Sequence, residues 1–155
     1  MSHRSTFPGT IDGACGAAQW LRDLAEREHL GKDLTFALEV CLEELFINVV
    51  RHGRPPRPVD DHAAEPAEPL SVDVSVQIAG GAVDLTIEDN GRTFNVSLAP
   101  ATPIRQPLDE VVPGGLGMQL IRSFSNTMRY EPLPMGNRVV VNFLRPEPTG
   151  SSADA

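Results

Sequence analysis

The sequence lacks several features that would place it in a broad class of protein. No uninterrupted apolar run approaches the roughly 18 residues that a membrane-spanning helix requires, and the N-terminus leads into no apolar signal core. Basic residues are few and scattered, 13 against 21 acidic residues, for a net charge of −8. Nucleic acid is therefore a poor candidate for a direct partner, no membrane contact is expected, and we expect a cytoplasmic protein.

Cysteine is equally scarce. Cys15 and Cys41 are the only two, and both fall in helical patterns, which predicts buried thiols rather than a disulfide framework. No cysteine and histidine spacing is typical of zinc, and no internal repeat is present. The length of 155 residues predicts one domain over 1–145, followed by a disordered polar tail over 146–155.

A long helical pattern does stand out, from about Asp33 to His52. At about 100° per residue, Glu44, Asn48 and His52 lie at four-residue steps on the flank of one apolar stripe. That stripe consists of Leu34, Leu38, Cys41, Leu45 and Val49. Half-buried polar groups need partners. The partners are either a bound ligand or the polar side chains themselves, one helical turn apart.

The remaining pattern predicts two more helices and five strands. A first helix capped by Thr10 or Asp12 ends near Leu30-Gly31. A third follows Gly114-Gly115-Leu116-Gly117, with Leu116, Leu120, Ile121 and Phe124 on one face. Strands are predicted over residues 4–9, 71–78, 83–87, 127–131 and 138–144.

Helices and antiparallel strands are segregated along the chain instead of alternating as βαβ units. This order predicts an α+β fold, a two-layer sandwich in which three helices pack on one face of a mixed, mainly antiparallel sheet. Two proline-rich segments, 54–69 and 96–113, interrupt the pattern. The first is predicted to be a mobile loop.

Two short motifs lie at the ends of these elements. Asp89-Asn90-Gly91 ends a strand with a carboxylate that can accept a hydrogen bond from an exocyclic amine, although an ordinary turn would use the same residues. The glycines at 114–117 open a helix, where backbone N–H groups can approach an anion, although glycine before a helix is also common without a ligand. No Gly-Lys-Ser/Thr follows, so this is not a P-loop.

In chain order, these motifs are similar to those of one superfamily. The helical Glu44-x-x-x-Asn48-x-x-x-His52-Gly53, the strand-end Asp89-x-Gly91-x-x-Phe94 and the Gly-Gly-Leu-Gly helix start resemble the N, G1 and G2 boxes of the GHKL ATPases. Within that superfamily the chain resembles the anti-sigma-factor serine kinases of the RsbW and SpoIIAB type, over roughly residues 5–145. The resemblance implies the Bergerat ATP-binding fold.

The resemblance also implies ligands and roles for single residues. Asn48 would bind the Mg²⁺ of a bound ATP. Asp89 would accept a hydrogen bond from the exocyclic amine of adenine, and Gly91 would lie against the ring. The loop 96–113 would be the lid over the nucleotide. The other implied nucleotide-binding residues are His52, Phe94, Gly114, Gly115, Leu116, Gly117 and Met118.

Glu44 matches the family's general base, which would take the proton from a serine hydroxyl as it attacks the γ-phosphate. Its neighbour Glu43 points about 100° away on the helix and is the weaker candidate. The chain departs from many relatives at Asn126, where they have Asp, and at Asn137, where they have a Thr that meets adenine through water. The loop 54–69 is longer than in the family, and Arg105 stands in the lid.

The function implied is an ATP-dependent serine kinase that sequesters a sigma factor and phosphorylates a STAS-domain antagonist, with a homodimer expected. An alternative is a nucleotide-gated module that binds a STAS protein or another regulator without catalysis. A detached histidine-kinase ATPase domain is a weaker alternative, because no phospho-acceptor histidine bundle precedes residue 5.

Overall fold

The computed structural model describes residues 1–54, 68–95 and 115–145, the side chains of 115–117 excepted. Eight elements lie within these ranges, five strands and three helices. They are β1 (Ser2–Pro8), α1 (Ile11–Arg27), α2 (Lys32–His52), β2 (Ser71–Ala79), β3 (Ala82–Asp89), α3 (Gly115–Phe124), β4 (Thr127–Leu133) and β5 (Gly136–Leu144).

The strands form one sheet in the order β1-β2-β3-β5-β4, and all neighbouring pairs in the described part of the chain are antiparallel. The predicted α+β fold is confirmed, and the N-terminal segment forms the expected edge strand. The β2–β3 hairpin turns at Gly80 and Gly81, whose φ angles of 57° and 78° suit glycine.

One face of the sheet is apolar and faces the helices. Successive side chains of a strand point to opposite faces, so every second residue of the central strands is buried. The buried side chains of helices and sheet form one hydrophobic cluster. The sheet contributes Val72, Val74, Val76, Val83, Leu85, Ile87, Val139, Val141 and Phe143.

The opposite face carries a row of charges with one residue from each strand. Arg4 donates to Asp73 at 2.6 Å, and Arg138 donates to Glu88 at 2.8 Å and to Glu131 at 3.0 Å. These partly exposed pairs each contribute little to stability. Their effect is to make this face polar, so it needs no covering layer.

The two long helices begin differently. Thr10 caps α1, since its hydroxyl oxygen accepts a hydrogen bond from the Gly13 N–H at 3.0 Å, as predicted. Helix α2 follows Gly31, which has no side chain to cap it, so the prediction of Asp33 as the cap is wrong. Asp33 lies instead in the first turn, near the positive end of the helix dipole. Gly53 follows the last residue of α2, as predicted.

The predicted end of α1 near Leu30-Gly31 is wrong, because the helix stops at Arg27. His29 takes the left-handed conformation, at φ 51°, that the prediction assigned to glycine. The Leu30 N–H then reaches back to the Ala25 carbonyl at 3.0 Å, and the Leu30 side chain is buried. This bond and the apolar contact close the helix end without glycine.

Helix α3 presents a different face to the core than predicted. Met118 and Ile121 are 1% and 0% exposed, whereas Leu120 and Phe124 are 41% and 40% exposed. The Phe124 ring meets Phe36 of α2 edge to face, with 5.8 Å between centroids. The predicted face is therefore correct at Ile121 and wrong at Leu120 and Phe124.

The two cysteines are free and differ in burial. Cys41 is buried, as predicted, but Cys15 is exposed, so the prediction of a buried thiol is wrong there. Burial raises the pKa of Cys41 to about 12, with a smaller contribution from the charge of Glu44. Cys41 therefore behaves as a small apolar core residue.

Several predicted segments lie wholly or largely outside the described residues. They are the loop 54–69, the lid 96–113 with Arg105, and the tail 146–155. In the part that the structure describes, no helix is both long enough and apolar enough to cross a membrane.

Replacing Phe46 with alanine is expected to lower the free energy of unfolding by about 3–5 kcal/mol, because the fully buried ring leaves a cavity. Phe36→Ala is the matched control on the same helix. Phe36 is 57% exposed, so its loss should cost clearly less. It removes one ring contact, worth about 0.5–1.5 kcal/mol, and a partly buried surface. Urea unfolding followed by circular dichroism measures both, and equal losses would contradict the core described above.

Candidate functional site

A cleft opens between the C-terminal half of α2 and the adjoining ends of β3 and β5. Its empty volume is about 370 Å³, part of it open to solvent. An apolar concavity with a few polar groups is typical of a small-molecule site. The lining residues are Leu45, Asn48, Val49, His52, Gly53, Ile87, Asp89, Arg92, Phe94, Asn137 and Val139.

Asn48 carries an unsatisfied group into this cleft. The residue is 8% exposed, and its Nδ2 has no hydrogen-bond partner among the described residues. Glu44 and His52, one turn away on either side, therefore do not satisfy it. Because an unmade hydrogen bond of a buried donor costs about 1–3 kcal/mol, the partner of this amide has to come from outside the described residues. A bound ligand fits that requirement.

Asp89 is the carboxylate of the cleft, at the end of β3, and is 8% exposed. Its Oδ1 accepts hydrogen bonds from the Gly91 N–H at 2.8 Å and the Asn137 Nδ2 at 3.0 Å. Within the described residues, no hydrogen bond reaches its Oδ2. Burial raises the pKa of Asp89, and the hydrogen bonds from Asn137 and Gly91 offset part of that rise. The free oxygen makes Asp89 a strong acceptor for a ligand N–H.

Gly91 holds the loop after β3 against the end of α2. A Cβ added at Gly91 would lie 2.7 Å from the Gly53 Cα, so no other residue fits without a shift. The Arg92 N–H donates to the Gly53 carbonyl at 2.8 Å, and the Arg92 Nε donates to the His52 carbonyl at 2.7 Å. These bonds satisfy carbonyls that the helix end leaves open. The end of α2 and the loop after β3, which form two sides of the cleft, are thereby joined to each other.

His52 and Phe94 stack on each other, with 4.3 Å between ring centroids and 17° between planes. Both rings line the cleft. Sequence reasoning named both residues, but it did not predict that they touch. The stack presents a flat aromatic surface beside Asp89, as a planar ligand would need.

Sequence reasoning missed the part that Asn137 and Arg92 play in this site. Asn137 stands in phase with the core residues Val139 and Val141 of β5, and it is 5% exposed. A polar residue at a core-facing position of a strand is the signal that could have found it. The other departure from the family's pattern, Asn126, lies away from the cleft and pairs with Asn142 at 3.1 Å.

Glu44 lies one turn before Asn48 and is half-buried, but it is not part of the cleft lining. Burial raises the pKa of Glu44, the charge of Arg51 opposes the rise, and the charge of Glu43 adds to it. Glu43 is exposed. A carboxylate with a raised pKa is the better proton acceptor of the two.

The predicted phosphate-binding segment is described only in part. Gly114 lies outside the described residues, and α3 begins at Gly115, so Gly115, Leu116 and Gly117 form its first turn. The N–H groups of a first turn have no partner within their own helix. The Met118 side chain packs in the core, so any contact of Met118 with a ligand would come from its backbone.

Known proteins match the chain along most of its length. The histidine kinase-like ATPase domain family matches residues 7–143. The serine/threonine-protein kinase BtrW of Bordetella bronchiseptica is 30% identical over 122 residues, which cover 79% of each chain. A solved histidine kinase domain from the blue-light activated histidine kinase of Erythrobacter litoralis EL346 has a TM-score of 0.45 at 16% identity, over 73% of this chain and 45% of that one. The family resemblance inferred from the sequence is confirmed.

Asp89→Asn is expected to raise the free energy of unfolding at pH 7. The folded-state pKa of Asp89 is raised, so the ionised group costs stability above that pKa and not below its unfolded value of about 3.9. The asparagine Oδ1 can still accept both hydrogen bonds. The advantage of the variant should therefore shrink as pH falls, in urea unfolding series between pH 7 and 3.

Asp73→Asn is the control with the opposite sign. Burial raises the pKa of Asp73, but the hydrogen bonds from Thr6 and Arg4 and the charge of Arg4 lower it on balance. Its stabilisation is present above the unfolded pKa and is lost as pH falls through the folded one. Asp73→Asn should therefore lower the free energy of unfolding at pH 7, and this loss should disappear toward pH 3. If both variants changed the free energy of unfolding at pH 7 in the same direction, Asp89 could not be the buried carboxylate described above.

Proposed function

The chain belongs to the family of histidine kinase-like ATPase domains, and from this we propose that it is an ATP-dependent serine protein kinase and an anti-sigma factor. The observation that carries the nucleotide site is the cleft itself, which both Asn48 and Asp89 line. Among the described residues, the Nδ2 of Asn48 and the Oδ2 of Asp89 have no hydrogen-bond partner. The kinase activity is supported by the 30% identity with BtrW, which is named a serine/threonine-protein kinase.

In this proposal the base of ATP enters the deep end of the cleft. The Asp89 Oδ2 accepts a hydrogen bond from the exocyclic amine of adenine. Gly91, packed against Gly53, holds Asp89 through its N–H. The stacked rings of His52 and Phe94 form a wall beside it. The apolar side chains of Val49 and Val139 complete the surroundings.

The phosphates then lie toward the start of α3 and toward Asn48. The N–H groups of the first turn of α3 suit an anion because they are unpaired within the helix and lie at its positive end. Gly114 is proposed as a further phosphate contact. The lid 96–113 would close over the phosphates.

The residues present fit a magnesium ion that shares its ligands with the nucleotide. Mg²⁺ usually keeps several waters and takes one or two protein oxygens together with phosphates. The described residues contain no group of three or more His, Cys, Asp or Glu that could hold a metal alone. The Oδ1 of Asn48 would be the protein ligand, and its Nδ2 would be left to donate to a phosphate oxygen. When bound, the ion neutralises the charge that develops on the phosphates during transfer.

Glu44 is the proposed general base for the serine hydroxyl of a protein substrate. Its raised pKa favours proton acceptance at neutral pH over an ordinary surface carboxylate. It lies on the same helix as Asn48, one turn earlier.

The partners follow from the anti-sigma-kinase resemblance in the sequence. We infer that the chain sequesters a sigma factor and phosphorylates a STAS-domain antagonist that releases it. A homodimer in the cytoplasm, with one nucleotide-binding domain over residues 1–145, completes the proposal.

One observation favours a second candidate, a nucleotide-gated switch that binds its partner without phosphorylating it. Glu44 is half-buried and absent from the cleft lining. If it stays there in the complex, no base reaches the hydroxyl and the chain binds ATP without transfer.

Incubation with Mg-ATP and the STAS proteins of the same genome is expected to phosphorylate one of them on serine, detected by intact mass. Glu44→Gln should lower the rate at least about 100-fold, the usual contribution of a general base, while ATP binding by calorimetry is retained. Glu43→Gln is the matched control on the neighbouring, exposed residue and should keep the rate.

Two results would overturn parts of this proposal. ATP binding with no mass shift on any STAS protein would reject the kinase and favour the switch. Equal activity of Glu44→Gln and wild type would leave a kinase but remove Glu44 as its base.

A further inference from the structure

The amide of Asn137 uses all of its hydrogen-bonding capacity inside the protein. Its Nδ2 donates to the Asp89 Oδ1 at 3.0 Å and to the Arg92 carbonyl at 2.9 Å. Its Oδ1 accepts from the Phe94 N–H and from the Tyr130 hydroxyl, each at 2.9 Å. An asparagine amide has two N–H donors and two lone pairs on its oxygen. Nothing is left for a ligand.

The backbone places this amide directly opposite Asp89. In the β3–β5 register Asn137 is the partner of Asp89. The preceding residue, Gly136, has φ 129°, and a Cβ there would lie 1.7 Å from the Asp89 carbonyl oxygen. Only glycine allows β5 to begin so close to the end of β3. The amide is therefore held by the fold and not by a ligand.

The hydrogen bond from Asn137 helps to fix the orientation of the Asp89 carboxylate. Both hydrogen bonds of Asp89, from the Gly91 N–H and from Asn137, end on the same oxygen, Oδ1. They fix the rotation of the carboxylate and leave Oδ2 without a partner among the described residues. The cleft thus presents one oriented acceptor, and the neighbouring amide offers no second polar contact.

We infer that Asn137 is a positioning residue for base selectivity: it orients Asp89 toward an exocyclic amine and does not itself touch the base. The inference rests on the proposed function. A purine with an amine at this edge gains a hydrogen bond to a charged group. A purine with a hydrogen there gains none, and one with a carbonyl places its oxygen against the carboxylate.

The test compares the dissociation constants of ATP, purine riboside 5′-triphosphate, which lacks the amine, and inosine 5′-triphosphate, which has a carbonyl. Wild type should bind ATP about 10- to 100-fold more tightly than purine riboside triphosphate, the value of one hydrogen bond to a charged group. Inosine triphosphate should bind no better than the unsubstituted purine.

Asn137→Ala should reduce that ratio at least about fivefold, because alanine makes none of the four hydrogen bonds of the amide and the carboxylate is free to turn. Asn142→Ala is the matched control. Asn142 lies on the same strand with its amide on the outer face, donating to Asp84 at 2.6 Å. That variant should keep the wild-type ratio.

Tyr130→Phe covers the case in which Asn137→Ala does not fold. It removes one hydrogen bond from the Asn137 oxygen and leaves Asp89 untouched, so it should lower the ratio at least about twofold. A loss of stability alone would weaken all three nucleotides equally. The ratio therefore separates orientation of Asp89 from a merely structural role.

The outcomes separate this inference from the function on which it rests. Wild type that binds none of the three nucleotides overturns the proposed function and this inference with it. Wild type that prefers ATP, together with an unchanged ratio in every folded variant at Asn137 and Tyr130, overturns this inference alone. A fall of the ratio in those variants but not in Asn142→Ala supports it.

Discussion

The register between β3 and β5 is the constraint on which the cleft depends. In that register Asp89 pairs with Asn137 and Glu88 pairs with Arg138. The first pair faces the helices and the second faces water. Because side chains alternate between faces, a slip of β5 by one residue would break both pairs. It would turn Arg138 toward the helices and Asn137 toward solvent, so Asp89 would lose its hydrogen bond from Asn137. Packing of the core and assembly of the site are therefore set by the same alignment.

Helix α2 serves the core and the cleft at once. Its apolar side chains pack against α1, α3 and the sheet. Its last turns carry Asn48 and His52. The loop after β3 is fastened to its end by close contact of Gly53 with Gly91 and by the two hydrogen bonds from Arg92. The end of the cleft at which Asp89 lies is thus built on regular structure and short connections, which hold side chains more accurately than long loops do.

The elements that a local pattern determines could be predicted, and those that depend on packing could not. Alternation in β2, β3 and β5 reports burial directly, so these strands were found from the sequence. Helix ends were less certain, since His29 adopts a glycine-like conformation once Leu30 is buried. The core face of α3 depends on how the helix lies against α2. That arrangement, set by packing, buries Met118 and exposes Phe124.

The same distinction applies to the site. Asn48 and Asp89 belong to motifs whose residue types and spacing have a chemical meaning, and both line the cleft as expected. The four bonds of Asn137 join it to β3, to β4 and to the loop after Asp89. They exist only because Gly136 admits a close approach between two strands. No spacing in the sequence reports such a contact. The amide of Asn48, whose Nδ2 has no partner among the described residues, also has a cost in stability. Leucine has nearly the shape of asparagine and no N–H to leave unmet, so selection for stability alone would favour leucine at this position.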